Sequence, residues 1–110
     1  MRRGDIYNVD LEGGLGSEQT GFRPCIIVQN DAGNFTAPTT IIIPLSRKEP
    51  SQKTHIPVKY SENQIHLNTV ALCEQIRVVD KERFGKKLLT LPNSILSEVE
   101  EGILLALEMG

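Results

Sequence analysis

The stretch Ser17-Glu18-Gln19-Thr20-Gly21-Phe22-Arg23-Pro24 gathers polar side chains between a glycine-rich run, Gly13-Gly14-Leu15-Gly16, and an apolar one, Cys25-Ile26-Ile27-Val28. A single Arg-Pro pair thus opens a buried strand, where a proline is tolerated because its missing N–H costs no ladder bond. The plain reading is a hairpin loop followed by a solvated arginine. The sharper reading is a guanidinium at the mouth of a fold, offering a rigid fork of donors to phosphate oxygens. A second polar set, Glu74-Gln75 followed by Arg77, interrupts the apolar stretch Val70 to Val79. Strand alternation there places Gln75 and Arg77 on one face and Glu74 and Ile76 on the other. Ser46 ends the run Ile41-Ile42-Ile43-Pro44-Leu45, with Arg47 and Lys48 beside it. The two histidines follow no metal-ligand or triad spacing; His66 reads as a surface residue, and His55, beside Thr54, as a ligand contact. Of the five aromatic residues, Phe22 and Phe35 are the candidates to stack near a groove, with core or dimer contacts the equal alternative.

These residues need a scaffold of short strands. Asp5 to Leu11 alternates at Tyr7, Val9 and Leu11, with Ile6 off the pattern, as a half-buried strand does. Cys25 to Gln29 and Thr40 to Leu45 are continuous apolar runs suited to strands covered on both faces. Ile56 to Tyr60 and the interrupted Val70 to Val79 supply the rest. Turns are expected at Gly13–Gly16, Asn30–Asn34 and Ser61–Asn63, and one helical turn around Lys81 to Lys87. From Pro92 to Met109, apolar residues at Ile95, Leu96, Val99, Ile103, Leu104, Ala106 and Leu107 recur near every 3.6 residues. That spacing predicts an amphipathic helix entered at Pro92-Asn93, with Gly110 after it. The expected architecture is mainly β with a C-terminal α-helix, a strongly curved antiparallel barrel over residues 1–110.

The composition narrows the function classes. At 110 residues, 39% hydrophobic and 24% charged, the chain has the make-up of one globular unit. It has no apolar run long enough to span a bilayer, and no apolar segment follows the basic start Met1-Arg2-Arg3, so a cytoplasmic location is expected. Cys25 and Cys73 each sit in an apolar run, which suits buried free thiols, and neither has zinc-site spacing. No cofactor or metal is expected. The formal net charge of −2 argues against a non-specific nucleic-acid coat. It hides an asymmetry: all 12 bases precede residue 91, and the last twenty residues hold Glu98, Glu100, Glu101 and Glu108 without a base. A locally basic face is compatible with that balance.

The ordered set Arg3-Gly4-Asp5-Ile6-Tyr7, Gly16-Ser17-Glu18-Gln19, Arg23-Pro24, Gln29-Asn30-Asp31, Thr54-His55 and Glu74-Gln75-Ile76-Arg77 closely resembles the MazF/PemK toxin family and spans nearly the whole chain. The resemblance implies an SH3-like (CcdB/PemK-type) barrel that forms a homodimer. It also implies metal-independent cleavage of single-stranded RNA at short preferred sequences, leaving a 2′,3′-cyclic phosphate. Carried over by position, Arg23 matches the catalytic arginine, and Ser46 falls where many members have a catalytic threonine. Ser17, Glu18 and Gln19 match the loop that closes over RNA, and Gln75 a substrate-contacting glutamine. Serine at position 46 keeps the hydroxyl but lacks the methyl that restricts χ1.

In such a cleavage the 2′-OH of RNA is the nucleophile, so the protein must align it and stabilise charge on the phosphoryl oxygens. Arg23 suits that charge. A guanidinium is a poor base near neutrality, and Glu18 or His55 are chemically easier ones. The resemblance further implies an antitoxin whose disordered, acidic and apolar tail lies in the RNA groove. Two other readings share the fold: a barrel that only binds, favoured by Ser46, and a CcdB-like gyrase inhibitor. The latter acts through a C-terminal tryptophan segment, and this chain has no Trp.

Overall fold

The computed structural model describes residues 1–63 and 65–109. Seven strands form one antiparallel sheet: β1 (Asp5–Asp10), β2 (Phe22–Ile27), β3 (Thr39–Arg47), β4 (His55–Val58), β5 (Thr69–Leu72), β6 (Arg77–Asp80) and β7 (Phe84–Thr90). Helix α1 (Asp31–Thr36) lies between β2 and β3, and helix α2 (Asn93–Ala106) follows β7. The strand order is β4-β5-β3-β2-β1-β7, with β6 also on β3. The expected curved β architecture with a C-terminal helix is therefore present. Among the described residues β4 and β7 do not pair, so the sheet is open rather than a closed barrel.

Strand β3 is the hub. On one edge Ile42, Ile43 and Pro44 pair with β2. On the other, Thr39 to Ile42 pair with β6, and Leu45 to Arg47 pair with β5. The change of partner falls at Ile43-Pro44, and proline has no N–H to give a ladder. The stretch read as one interrupted strand, Val70 to Val79, is accordingly two strands joined by a 3-10 turn at Cys73–Gln75.

Three further differences from the sequence reading have local causes. Residues 30–34, read as a turn, begin α1: the Asn30 side chain accepts from the Gly33 N–H at 2.8 Å and caps it. The Lys81–Lys87 segment holds a 3-10 turn only at Lys81–Arg83, and then becomes β7. Alternation is hidden there by a bulge: Ile6 faces Leu89 and Tyr7 faces Lys87, so Leu88 is an extra residue. Both Leu88 and Leu89 are buried as a result. Strand β1, read as half-buried, is covered on both faces, with Ile6 in the larger core and Val9 in a second one shared with Cys25, Ile27, Ile42 and Val79. Both cysteines are free and buried.

Helix α2 packs by Leu96, Val99 and Gly102, which are buried, while Leu104 and Leu107, counted above on its apolar stripe, are about half exposed. Gly110, read as following the helix, lies outside the described residues. No helix of the described residues is long and apolar enough to cross a membrane. Gly102 sets the approach of the helix to the 3-10 turn: a Cβ there would lie 2.5 Å from Ile56 Cγ1 and 2.7 Å from Cys73 Sγ. Gly102→Val is therefore expected to lower stability by about 1–3 kcal/mol through overpacking, read as a fall in Tm of several degrees.

Candidate functional site

Strands β2 and β3 carry the first part of the site. Their register pairs Cys25 with Pro44; extended two residues along each strand, it sets Arg23 opposite Ser46. Both side chains line one cavity of 220 Å³, together with Leu45, Arg47 and Thr69. Strand β2 begins at Phe22, earlier than the sequence suggested, so Arg23 lies within a strand across from Val9 and not ahead of one. The Arg23 Nε donates to the Thr20 carbonyl at 2.8 Å, which orients the guanidinium and leaves its two terminal nitrogens for another acceptor. Among the described residues no ion pair engages Arg23, Arg47 or Arg77.

A second cavity, of 400 Å³, is lined by Glu18, Gln19, Pro44, Glu74, Gln75, Ile76 and Arg77. Pro44 and Ser46 are two residues apart on β3 and so share a face, which puts the two cavities side by side. The Cys25 thiol lies near both arginines: burial pushes it up to about 12, against the opposing pull of Arg77 and Arg23. The alternation expected around Gln75 is absent because Cys73–Gln75 is a 3-10 turn, and residues 74–77 all reach the same cavity.

The loop before β2 is held by Gln75. Its amide oxygen accepts from the Gln19 N–H at 2.8 Å, and its amide nitrogen donates to the Ser17 carbonyl at 3.4 Å. The backbone is gripped on both sides of Glu18, whose Oε1 accepts from the Leu15 N–H at 3.2 Å. The buried Gln19 Oε1 has no hydrogen-bond partner among the described residues, a cost of about 1–3 kcal/mol that these bonds must offset.

Glu74 is held from the other side. The Thr54 hydroxyl donates to its Oε1 at 2.9 Å, and His55 Nε2 lies 3.0 Å from its Oε2. His55 Nδ1 accepts from the Ser51 N–H at 3.1 Å, so the neutral ring carries its proton on Nε2 and donates it to Glu74. Burial raises the Glu74 carboxyl, but its own backbone N–H, Thr54 and His55 outweigh that and hold it below its ordinary value.

The structure thus brings together Arg23 with Ser46, and Glu18, Gln19, Gln75 and Arg77 beside them. Ser17 is exposed and meets Gln75 through its backbone alone. His55 is only 4% exposed and stands behind Glu74, on neither cavity wall. His66 is exposed, and its ring accepts from the Asn68 N–H. Phe22 and Phe35 line neither cavity; Phe22 lies over Gly85, and Phe35, 91% exposed, sits by Met1 and Arg2. Sequence reasoning passed over the Glu74 carboxylate and its Thr54 partner. The pairs Thr54-His55 and Glu74-Gln75 were visible, but nothing in the spacing joins positions twenty apart. Among the described residues no three His, Cys, Asp or Glu side chains cluster as metal ligands.

Two outcomes check this geometry. Gln75→Ala should release the loop and raise hydrogen exchange at the Gln19 amide about tenfold, read by NMR. A carboxyl depressed in the fold stabilises it above the unfolded value and loses that contribution as pH falls through the folded value. Thermal melting should therefore separate the wild type from Glu74→Gln at neutral pH, and the gap should close on acidification below the ordinary value of 4.5.

Comparison with known proteins adds to this geometry. Residues 2–107 match the family described as PemK-like, MazF-like toxin of type II toxin-antitoxin system. The chain is 41% identical over 105 residues to the endoribonuclease MazF of Staphylococcus saprophyticus, covering 94% of this chain and 88% of that relative. The fold is similar to that of MazF from Deinococcus radiodurans (TM-score 0.80, 21% identity, covering 99% of this chain and 97% of that one). It is also similar to an endoribonuclease from a mycobacterial species in complex with its cognate antitoxin (TM-score 0.79, 19% identity, covering 100% and 95%).

Proposed function

The chain belongs to the family of PemK-like, MazF-like toxins of type II toxin–antitoxin systems, and we propose that it is an endoribonuclease cutting single-stranded RNA at short preferred sequences without a metal ion. The observation that carries the reading is the Arg23–Ser46 cavity, lined by a hydroxyl and by a guanidinium that no ion pair among the described residues engages. In the proposed step the 2′-oxygen bonds to phosphorus and the bond to the 5′-oxygen breaks. The 2′-OH gives up a proton and the leaving 5′-oxygen gains one, so the products are a 2′,3′-cyclic phosphate and a 5′-hydroxyl. Because RNA supplies the nucleophile, the step calls for no metal-activated water. Arg23 stabilises charge on the phosphoryl oxygens, and Ser46 donates a hydrogen bond to the same phosphate. The adjacent cavity takes a neighbouring nucleotide, with Arg77 offering a second cation and the Ser17–Gln19 loop closing over it. In-line attack needs an unstacked strand, which favours single-stranded over duplex RNA.

Two partners follow from the same reading, a second copy of this chain and a cognate antitoxin in the cytoplasm. An acidic, apolar antitoxin tail would compete with RNA for Arg23 and Arg77, since neither is in an ion pair among the described residues. The test is incubation of the purified protein with mixed-sequence single-stranded RNA in EDTA, followed by end mapping. Cuts are expected at a few short motifs with cyclic-phosphate ends, slowed about 100-fold or more in Arg23→Ala. Intact RNA overturns the nuclease reading, and undiminished cutting by the variant overturns the role of Arg23. Ser46→Thr should raise the rate if side-chain rigidity at that position limits it; an unchanged rate retires that argument.

A further inference from the structure

We propose that His55 and Thr54 are positioning residues: by fixing both oxygens of Glu74 on the wall of the second cavity, they make it the acceptor that selects a nucleobase bearing a lone exocyclic amino group, adenine or cytosine, over uracil. This inference rests on the RNA-cleaving reading and deepens it. An ionised carboxylate has about four acceptor positions. The Thr54 hydroxyl occupies one on Oε1 and His55 Nε2–H one on Oε2. Acceptor capacity remains on both oxygens of a side chain that lines the cavity.

An acceptor held on the cavity wall matches a base edge that presents a donor. The amino groups of adenine and cytosine satisfy it. Uracil has one N–H, flanked by two carbonyl oxygens that a carboxylate repels. The neighbouring Gln75 cannot make this choice while both ends of its amide hold the loop backbone. The His55 ring is itself locked, buried to 4% exposure with Nδ1 bonded to the Ser51 N–H and 3.3 Å from the Ser51 hydroxyl. A histidine so placed touches no ligand; its one outward donor goes to Glu74.

The experiment uses RNA oligonucleotides that differ at one base around a mapped cut, with kcat/KM measured for each in EDTA. The wild type is expected to favour adenine or cytosine over uracil about tenfold or more at one position. Glu74→Gln should abolish that ratio, His55→Phe and Thr54→Val should each reduce it, and His55→Gln, which can keep an N–H directed at Glu74, should retain most of it. In the Glu74→Gln background, His55→Phe should change the ratio no further. Ratios at other positions should stay unchanged. Should His55→Phe fail to melt cooperatively, Thr54→Val carries the same test. Variants that slow all substrates equally, or an effect of His55→Phe that persists without the Glu74 carboxylate, overturn the proposal alone. No cutting by the wild type overturns the nuclease reading and this proposal with it.

Discussion

On β3, the backbone at Ile43-Pro44 stands between two pairing partners, β6 on the N-terminal side and β5 on the C-terminal side. A proline there offers no N–H to either. Two residues of β3 are thereby spanned by five on the facing chain, Leu72 to Ile76, and the chain after Leu72 must leave the plane of the sheet. The Cys73–Gln75 turn is the consequence, and the space it leaves over Pro44 is the cavity in which Glu74, Gln75 and Arg77 meet. Helix α2 supports the turn from behind, where Gly102 lets it approach Cys73. Site and scaffold thus share one cause, a break in a ladder at the middle of the longest strand.

Around that break the polar side chains divide by what they hold. Several motifs that look chemical in sequence are structural. Arg3 donates to the Val28 carbonyl and pairs with Glu100 at 2.6 Å, tying the segment before β1 to the end of β2 and to α2. Asp5, 2% exposed, accepts from the Arg2 N–H and the Thr90 hydroxyl and lies 3.5 Å from Lys87 Nζ. A carboxylate that deep is tolerable only because it is paired and hydrogen-bonded. Gln29, Asn30 and Asp31 likewise cap α1 and brace Asn34. By contrast no ion pair among the described residues engages Arg23 or Arg77, and each lines a cavity.

Much of the fold was legible. Continuous β-branched runs marked β2 and β3, and the 3.6-residue recurrence marked α2, because periodicity reports the covered face directly. Strand β7 was not, since a bulge at Leu88 and the pair Lys86-Lys87 erase its alternation. Helix α1 was hidden in a segment of turn-forming residues whose cap, Asn30, serves turns equally well. In the site, Arg23, Ser46, Glu18, Gln19, Gln75 and Arg77 were named from sequence, and the fold gathers them into two adjoining cavities.

The sequence alone determined the chemistry on offer: a guanidinium beside a buried strand, a hydroxyl at a strand end, polar pairs set into apolar runs, and an ordered set of motifs that resembles one family. Those are properties of residue type and order, and they survive any folding. Which side chains touch was decided only by the tertiary structure. Arg23 and Ser46 line one cavity because β2 and β3 pair in one register, and Gln75 grips the Ser17–Gln19 loop across 56 positions of chain. His55 moved from expected ligand contact to a buried support of Glu74 for the same reason. Long-range pairing is set by packing and by where a ladder breaks, and neither has a signature in local spacing.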